Sequence, residues 1–367
     1  MHRPEIWLLG LLTLLLGACG NGSTDSLVSS GTTPPGIFSI SAYPYTDPPP
    51  ATTAETIQRL IDASALARSA GTNGQFSSLL WSELEPNLNQ YAADKLQNFR
   101  DTMQYADDNH LQLLVGFQMI NTVAREVPAE LSTVAWDDAT MINRFKSLLD
   151  QLIPYMGASV RYISLGNEVD LYFENGRSSE IPGFHVFVNT IQAYLHTQLP
   201  NAEVGVTVTA GGWLGGNVQT WLDLTADTDV MIVTYYPLNG DFTVQDPVAP
   251  AAAFPALVQL AGDRNVVLQE VGYPTSSLLN SSESKQAEFI HQVFATWRDS
   301  GQRIEFLNLF LLHDFSSDLV NTLTTYYGIS DAKFVAYLAT LGLRNTDNTD
   351  KAAWPAVLQE AADSHLR

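Results

Sequence analysis

Eight short, nearly continuous apolar runs recur along the chain, each followed by a longer stretch in which apolar residues return at helical spacing. The runs fall at 37–43, 75–80, 111–117, 160–165, 203–209, 230–235, 265–269 and 304–311. The amphipathic stretches fall at 54–70, 91–109, 137–156, 181–198, 217–225, 250–262, 282–300 and 331–340. Runs such as Val230-Met231-Ile232-Val233 and Val266-Val267-Leu268 do not alternate. That is the pattern of parallel strands buried on both faces. Eight strand–helix repeats without an internal linker predict an α/β fold, a single-domain (β/α)8 TIM barrel over 36–367. Residues 341–367 read as a turn and closing helix of the eighth unit. A doubly wound open sheet generally has fewer strands, and no GxGxxG or GxxxxGK[ST] glycine pattern follows any run, which argues against nucleotide binding.

The start of the chain breaks this rhythm. Arg3 precedes an apolar run from Ile6 to Leu16, about eleven residues, too short to span a bilayer and suited to an export signal. The run ends in Leu16-Gly17-Ala18-Cys19, which resembles a bacterial lipobox with Cys19 as the lipidated residue. Residues 1–18 are therefore expected to be a signal peptide and 19–35, rich in Gly, Ser and Thr, a flexible tether. The expected location is the bacterial cell envelope, periplasmic or outer-surface, held to the membrane through Cys19.

Cys19 is the only cysteine, so the mature fold is expected to hold no disulfide and no thiolate metal site. The seven histidines form no HExxH pattern, and neither a metal nor a cofactor is expected. A net charge of −21 disfavours nucleic acid and makes neutral polymers the more natural partners. No GxSxG elbow is present, which argues against a serine hydrolase.

Chemistry in such a barrel sits where strands end. The fourth run ends in Gly166-Asn167-Glu168, and the seventh in Gln269-Glu270-Val271-Gly272-Tyr273-Pro274. Each sets a glutamate directly after buried apolar residues, where a carboxylate is costly unless paired, hydrogen-bonded or facing a cleft. Two carboxylates across a barrel mouth are what glycosidic bond cleavage needs.

These segments resemble the strand-four Asn-Glu and strand-seven Glu-x-Gly-Tyr-Pro signatures of the clan A glycoside hydrolases. Tyr235-Tyr236-Pro237 is similar to their strand-six segment, and Trp81-Ser82-Glu83-Leu84-Glu85-Pro86 to a stretch after strand two. The resemblance implies a retaining glycosidase with Glu168 as acid/base, Glu270 as nucleophile, Asn167 on the sugar 2-hydroxyl and Tyr236 orienting Glu270. Val230–Leu238 resembles arabinogalactan endo-β-1,4-galactanases and plant-type β-1,3-glucanases, whereas Trp81–Pro86 resembles β-xylosidase and β-galactosidase relatives. Two features depart from the clan: no arginine stands near the end of strand two, and Phe310 or His313 takes the place of the strand-eight tryptophan. Tyr43, Trp81, Trp213 and Tyr273 lie at or past strand ends and are expected to pack on sugar faces. Glu85 is expected to be structural and Glu83 to be a rival acid. A carbohydrate substrate and a monomer are expected. The alternatives are a surface carbohydrate-binding lipoprotein without turnover and a transglycosylase.

Overall fold

The computed structural model describes residues 35–366, so the signal, the lipobox cysteine Cys19 and most of the tether lie outside the described residues. Eight strands run parallel: β1 Ile37–Ile40, β2 Gly74–Leu79, β3 Gln112–Asn121, β4 Val160–Asn167, β5 in two pieces (Glu203–Gly205 and Thr207–Thr209), β6 Val230–Tyr235, β7 Asn265–Val271 and β8 Ile304–Leu309. The apolar runs become strands because helices cover their outer face and side chains fill their inner one. Pairing runs β2–β3–β4–β5 on one arc and β5–β6–β7–β8–β1 on the other. The two pieces of β5 pair with different neighbours, Glu203 with Tyr162 of β4 and Thr207 with Ile232 of β6. Between β1 and β2, the Asn73 side-chain oxygen accepts from the Phe38 N–H at 2.7 Å, and the Asn73 N–H donates to the Phe38 carbonyl at 3.0 Å. The ring is thus closed, and the expected TIM barrel is the observed fold.

Seven outer helices follow the first seven strands: α1 Thr53–Ser69, α2 Ala93–Asp108, α3 Ala139–Leu152, α4 Ile181–Gln198, α5 Val218–Leu224, α6 Pro250–Ala261 and α7 Glu283–Asp299. Several begin at side-chain caps, with Thr52, Asp138 and Ser282 accepting from backbone N–H groups of the first turn. The principal core lies between these helices and the barrel wall. A second apolar cluster (Phe76, Leu114, Tyr162, Ile232, Val267 and Phe306) plugs the barrel interior. Above it comes a polar layer containing Ser164, Thr207, Gln269 and Asn308, all buried.

The eighth unit differs from the expectation. After β8 the chain forms α8 Ser317–Tyr327 and α9 Ala332–Ala339, whose apolar faces pack with Tyr43, Leu311 and Phe315 into a separate small core. The helix expected at 331–340 is therefore not part of the outer ring. The ring is completed by α10 Ala353–Asp363, which Glu360 ties to α7 through His291 at 2.7 Å and Arg298 at 2.6 Å. Periodicity showed that 331–340 has an apolar face but not which surface that face covers.

Candidate active site

Glu168 and Glu270 reach one cavity of about 690 Å³ at the C-terminal mouth of the barrel. Local backbone geometry aims both. On β7, Val233 and Thr234 of β6 pair with Leu268 and Glu270, and Leu307 and Leu309 of β8 pair with Leu268 and Val271. Both neighbours skip one residue of β7, a bulge at Gln269–Glu270. A bulge re-aims a side chain. Here it lets Gln269 bond inside the barrel while Glu270 still faces the cavity.

On β4, Gly166 turns the chain at φ +92°, and a Cβ there would lie 2.6 Å from the Val169 side chain. Glu168 follows in the left-handed region at φ 48° and ψ 47° and precedes a short helical turn, Val169–Glu174. Thr122, at φ 50°, is also left-handed, and for a β-branched residue this is a rare conformation. Such backbone is held only where surrounding structure over-determines it, often at functional sites. The Thr122 hydroxyl bonds Glu168 Oε2 at 2.8 Å, and the Thr234 hydroxyl bonds Glu168 Oε1 at 2.8 Å.

The Tyr236 hydroxyl donates to Glu270 Oε2 at 2.7 Å. Its ring meets Tyr337 of α9 edge-on at 5.6 Å and Phe310 at 6.3 Å. Asn167 is buried: its amide donates to Asn121 Oδ1 at 3.1 Å, and its Oδ1 accepts from Gln269 at 2.8 Å. Gln269 Oε1 in turn accepts from Thr207 at 2.8 Å. This lattice fixes the floor under the two carboxyls.

Burial raises the pKa of both carboxyls above the ordinary glutamate range, against the opposing pull of their hydrogen bonds. Proximity to Glu168 pushes Glu270 further in the same direction. Among the described residues no Arg, Lys or His lines the cavity. The pair therefore holds a proton between them to higher pH than isolated carboxyls would.

Of the residues expected at the site, Asn167, Glu168, Tyr236, Glu270 and Phe310 line the cavity together. The others are elsewhere. Trp81 is buried against Phe145 at 4.9 Å, its N–H spent on Glu85 at 3.0 Å. Trp213 is buried, with its N–H on the Ile232 carbonyl at 3.2 Å. Tyr273 stacks on Phe289 at 4.9 Å and donates to the Gln245 carbonyl at 2.7 Å. His313 sits behind the wall between the Tyr43 carbonyl at 2.7 Å and Asn348 at 3.0 Å. Tyr43 packs edge-on against Phe315 at 5.1 Å in the small core under α8 and α9. These five are packing residues, because a position at a strand end does not decide whether a side chain points into the mouth or back under a helix. Glu85 is fully buried against Arg144 at 3.0 Å, and Glu83 pairs with Lys95 at 2.8 Å. Neither lines the cavity.

The sequence reading missed Thr122, Thr234, Gln118, Tyr327 and Tyr337, all on the cavity wall. Thr234 carried a signal, being the polar residue inside an apolar run. Tyr327 and Tyr337 arrive on α8 and α9, which no motif announces. Among the described residues no group of three or more His, Cys, Asp or Glu is arranged to hold a metal ion.

No protein-family model and no curated protein matches the sequence. Solved structures do. A GH5_18 protein from Bifidobacterium longum, solved with Manβ1-4GlcNAc, is 18% identical with a TM-score of 0.64, covering 89% of this chain and 78% of that one. An exo-β-1,4-mannosidase from an Opitutaceae bacterium is 15% identical with a TM-score of 0.69, covering 90% of this chain and 59% of that one. A family 39 glycoside hydrolase from Bacteroides cellulosilyticus is 14% identical with a TM-score of 0.60, covering 90% and 64%. At these identities the likeness establishes the barrel fold. Activity has to be argued from the site.

Proposed function

We propose that the protein is a retaining β-glycoside hydrolase in which Glu270 is the nucleophile and Glu168 the acid/base. The observation that carries this reading is the pair of half-buried carboxyls at the ends of β4 and β7, facing one cavity and both pushed toward the protonated form. A singly protonated pair supplies one acid and one carboxylate. The roles follow from the partners. Tyr236 holds Oε2 of Glu270 and favours its ionised form, and the carboxylate faces the cavity in which the anomeric carbon would lie. A threonine hydroxyl can donate to a carboxylate or accept from a carboxyl, so Thr122 and Thr234 serve Glu168 in both protonation states.

In the first step Glu270 bonds to the anomeric carbon, the bond to the leaving oxygen breaks, and the Glu168 proton passes to that oxygen. In the second, Glu168 takes a proton from water, whose oxygen attacks the anomeric carbon and releases Glu270. The buried Gln118 Oε1, which has no partner among the described residues, is an acceptor for a sugar hydroxyl. Two carboxyls without a basic neighbour disfavour anionic sugars, so the glycone is neutral. Export of the protein and its lipid attachment at Cys19 belong to the same proposal. Replacing Cys19 with Ala should release the protein from the membrane fraction.

The test is hydrolysis of a panel of aryl β-glycosides and β-linked oligosaccharides by the wild type, Glu168→Ala and Glu270→Ala, with the anomer formed first read by NMR. Turnover with retained configuration, lost by orders of magnitude in both variants, is expected. Glycan binding without turnover in any form would replace the enzyme with a carbohydrate-binding lipoprotein.

A further inference from the structure

The cavity has two unlike halves. One is the polar floor around Glu168 and Glu270, with Gln118, Asn121 and Asn167. The other lies under the α8–α9 cover and the loop after β6. It is walled by Leu238, Phe242, Leu323, Ile329, Phe334 and Leu338. This cover is tied down on two sides. The Tyr326 hydroxyl donates to the Asn121 carbonyl at 3.1 Å, and Lys333 pairs with Asp241 at 2.6 Å. Phe242 packs on Phe334 at 5.1 Å, joining the loop after β6 to α9.

We infer that this apolar half receives an apolar aglycone. On that reading, which rests on the glycosidase roles of Glu168 and Glu270, the substrates are β-glycosides of a hydrophobic alcohol. The Leu, Ile and Phe side chains of this half offer no partner to hydroxyl groups, and Asn239, Tyr327 and Tyr337 are the few polar residues that the cover and the loop after β6 add to the wall. A second sugar ring there would leave hydroxyls desolvated and unpaired, each at substantial cost, whereas an alkyl or aryl group loses nothing and gains burial. Among the described residues no tryptophan lines this cavity; its aromatic side chains are Phe and Tyr, and the Tyr236 hydroxyl is already spent on Glu270. Trp81, Trp136, Trp213, Trp221, Trp297 and Trp354 are all buried in the principal core. A volume of about 690 Å³ also exceeds what one sugar ring fills and lies in the range of pockets that enclose drug-sized ligands.

The test uses the full protein and methyl, butyl, hexyl and octyl β-glycosides of glucose, galactose and mannose, each below its micelle concentration, beside the matching β-linked disaccharides. For the accepted sugar, kcat/KM should rise about two- to fourfold per methylene until the wall is filled. Ile329→Ser, a partly exposed wall position, should flatten that rise. Turnover with no dependence on chain length, or with disaccharides preferred, overturns the apolar aglycone and leaves the glycosidase reading standing. If no glycoside is turned over, the glycosidase reading fails, and titration calorimetry of the same alkyl series decides the rest. Affinity rising with chain length upholds an apolar pocket, and a flat series ends it.

Discussion

Replacing Tyr236 with Phe removes one atom from the site. The ring keeps its contacts with Tyr337 and Phe310, and only the hydroxyl that donates to Glu270 Oε2 at 2.7 Å is lost. A hydrogen bond to a charged group contributes about 1.5–3 kcal/mol. Because the hydroxyl favours the ionised form of Glu270, losing it raises the pH at which the pair first gives up a proton. At about 1.4 kcal/mol per pH unit, the acid limb of kcat/KM should move up by about one to two units. Below the limb, the variant should be roughly ten- to 150-fold slower than the wild type. Well above it, where Glu270 is ionised in both, the two should converge. The assay is hydrolysis of an aryl β-glycoside followed by absorbance across the acid-to-neutral range. An acid limb that stays in place, or an equal loss at every pH, would refute the claim that Tyr236 acts by stabilising ionised Glu270.

Two further substitutions probe the support around the site. A Cβ at Gly272 would lie 2.7 Å from the Tyr236 ring and 2.7 Å from the Phe310 carbonyl oxygen. Gly272→Ala should therefore displace the ring and slow turnover about a hundredfold, and should do so even well above the acid limb, where Tyr236→Phe matches the wild type, with circular dichroism confirming a folded barrel. Arg144→Met leaves Glu85 fully buried with no opposing charge and should destabilise the fold by about 3–5 kcal/mol in denaturant titration. Adding Glu85→Gln, which keeps an acceptor for Trp81, should return most of that loss.

The strands were legible because parallel strands covered on both faces demand continuous apolar runs. The two glutamates were legible because each ends such a run, where a buried carboxyl needs a reason. The bulge that aims Glu270 was not, since the sequence carries no register. Trp81, Trp213 and Tyr273 show the same limit. Their position past a strand end could be read, but their direction depends on where Phe145, the Ile232 carbonyl and Phe289 stand in three dimensions. The largest omission was the mouth cover. Residues 317–327 lie where a barrel helix was not expected, and 332–339 looks like any amphipathic helix. Only the small core they share with Tyr43 and Phe315 reveals that they roof the site and deliver Tyr327 and Tyr337.

The missing strand-two arginine has a consequence that the cavity makes measurable. Among the described residues no basic side chain on its wall takes the arginine's place, so the ionised carboxyls are supported by neutral donors alone, the hydroxyls of Thr122, Thr234 and Tyr236 and the Gln269 amide. Burial, and for Glu270 the neighbouring Glu168, oppose ionisation more strongly. The acid limb of wild-type kcat/KM should consequently lie above the ordinary glutamate value of 4.5. Activity should persist above neutral pH. The same shift is a statement about folding. A carboxyl whose pKa is higher in the folded than in the unfolded chain favours folding below its unfolded pKa, and that contribution is lost as pH rises through its folded pKa. Glu270→Gln removes the group that resists ionisation and also relieves Glu168 of a neighbouring charge. It should raise the melting temperature relative to wild type at neutral and alkaline pH, with the difference shrinking on acidification. Melting curves of both proteins across pH decide the matter. An advantage for Glu270→Gln that grows toward acid, or none at any pH, would mean that a cation or solvent reaches Glu270 and that the carboxyl pair is not under the strain its burial implies.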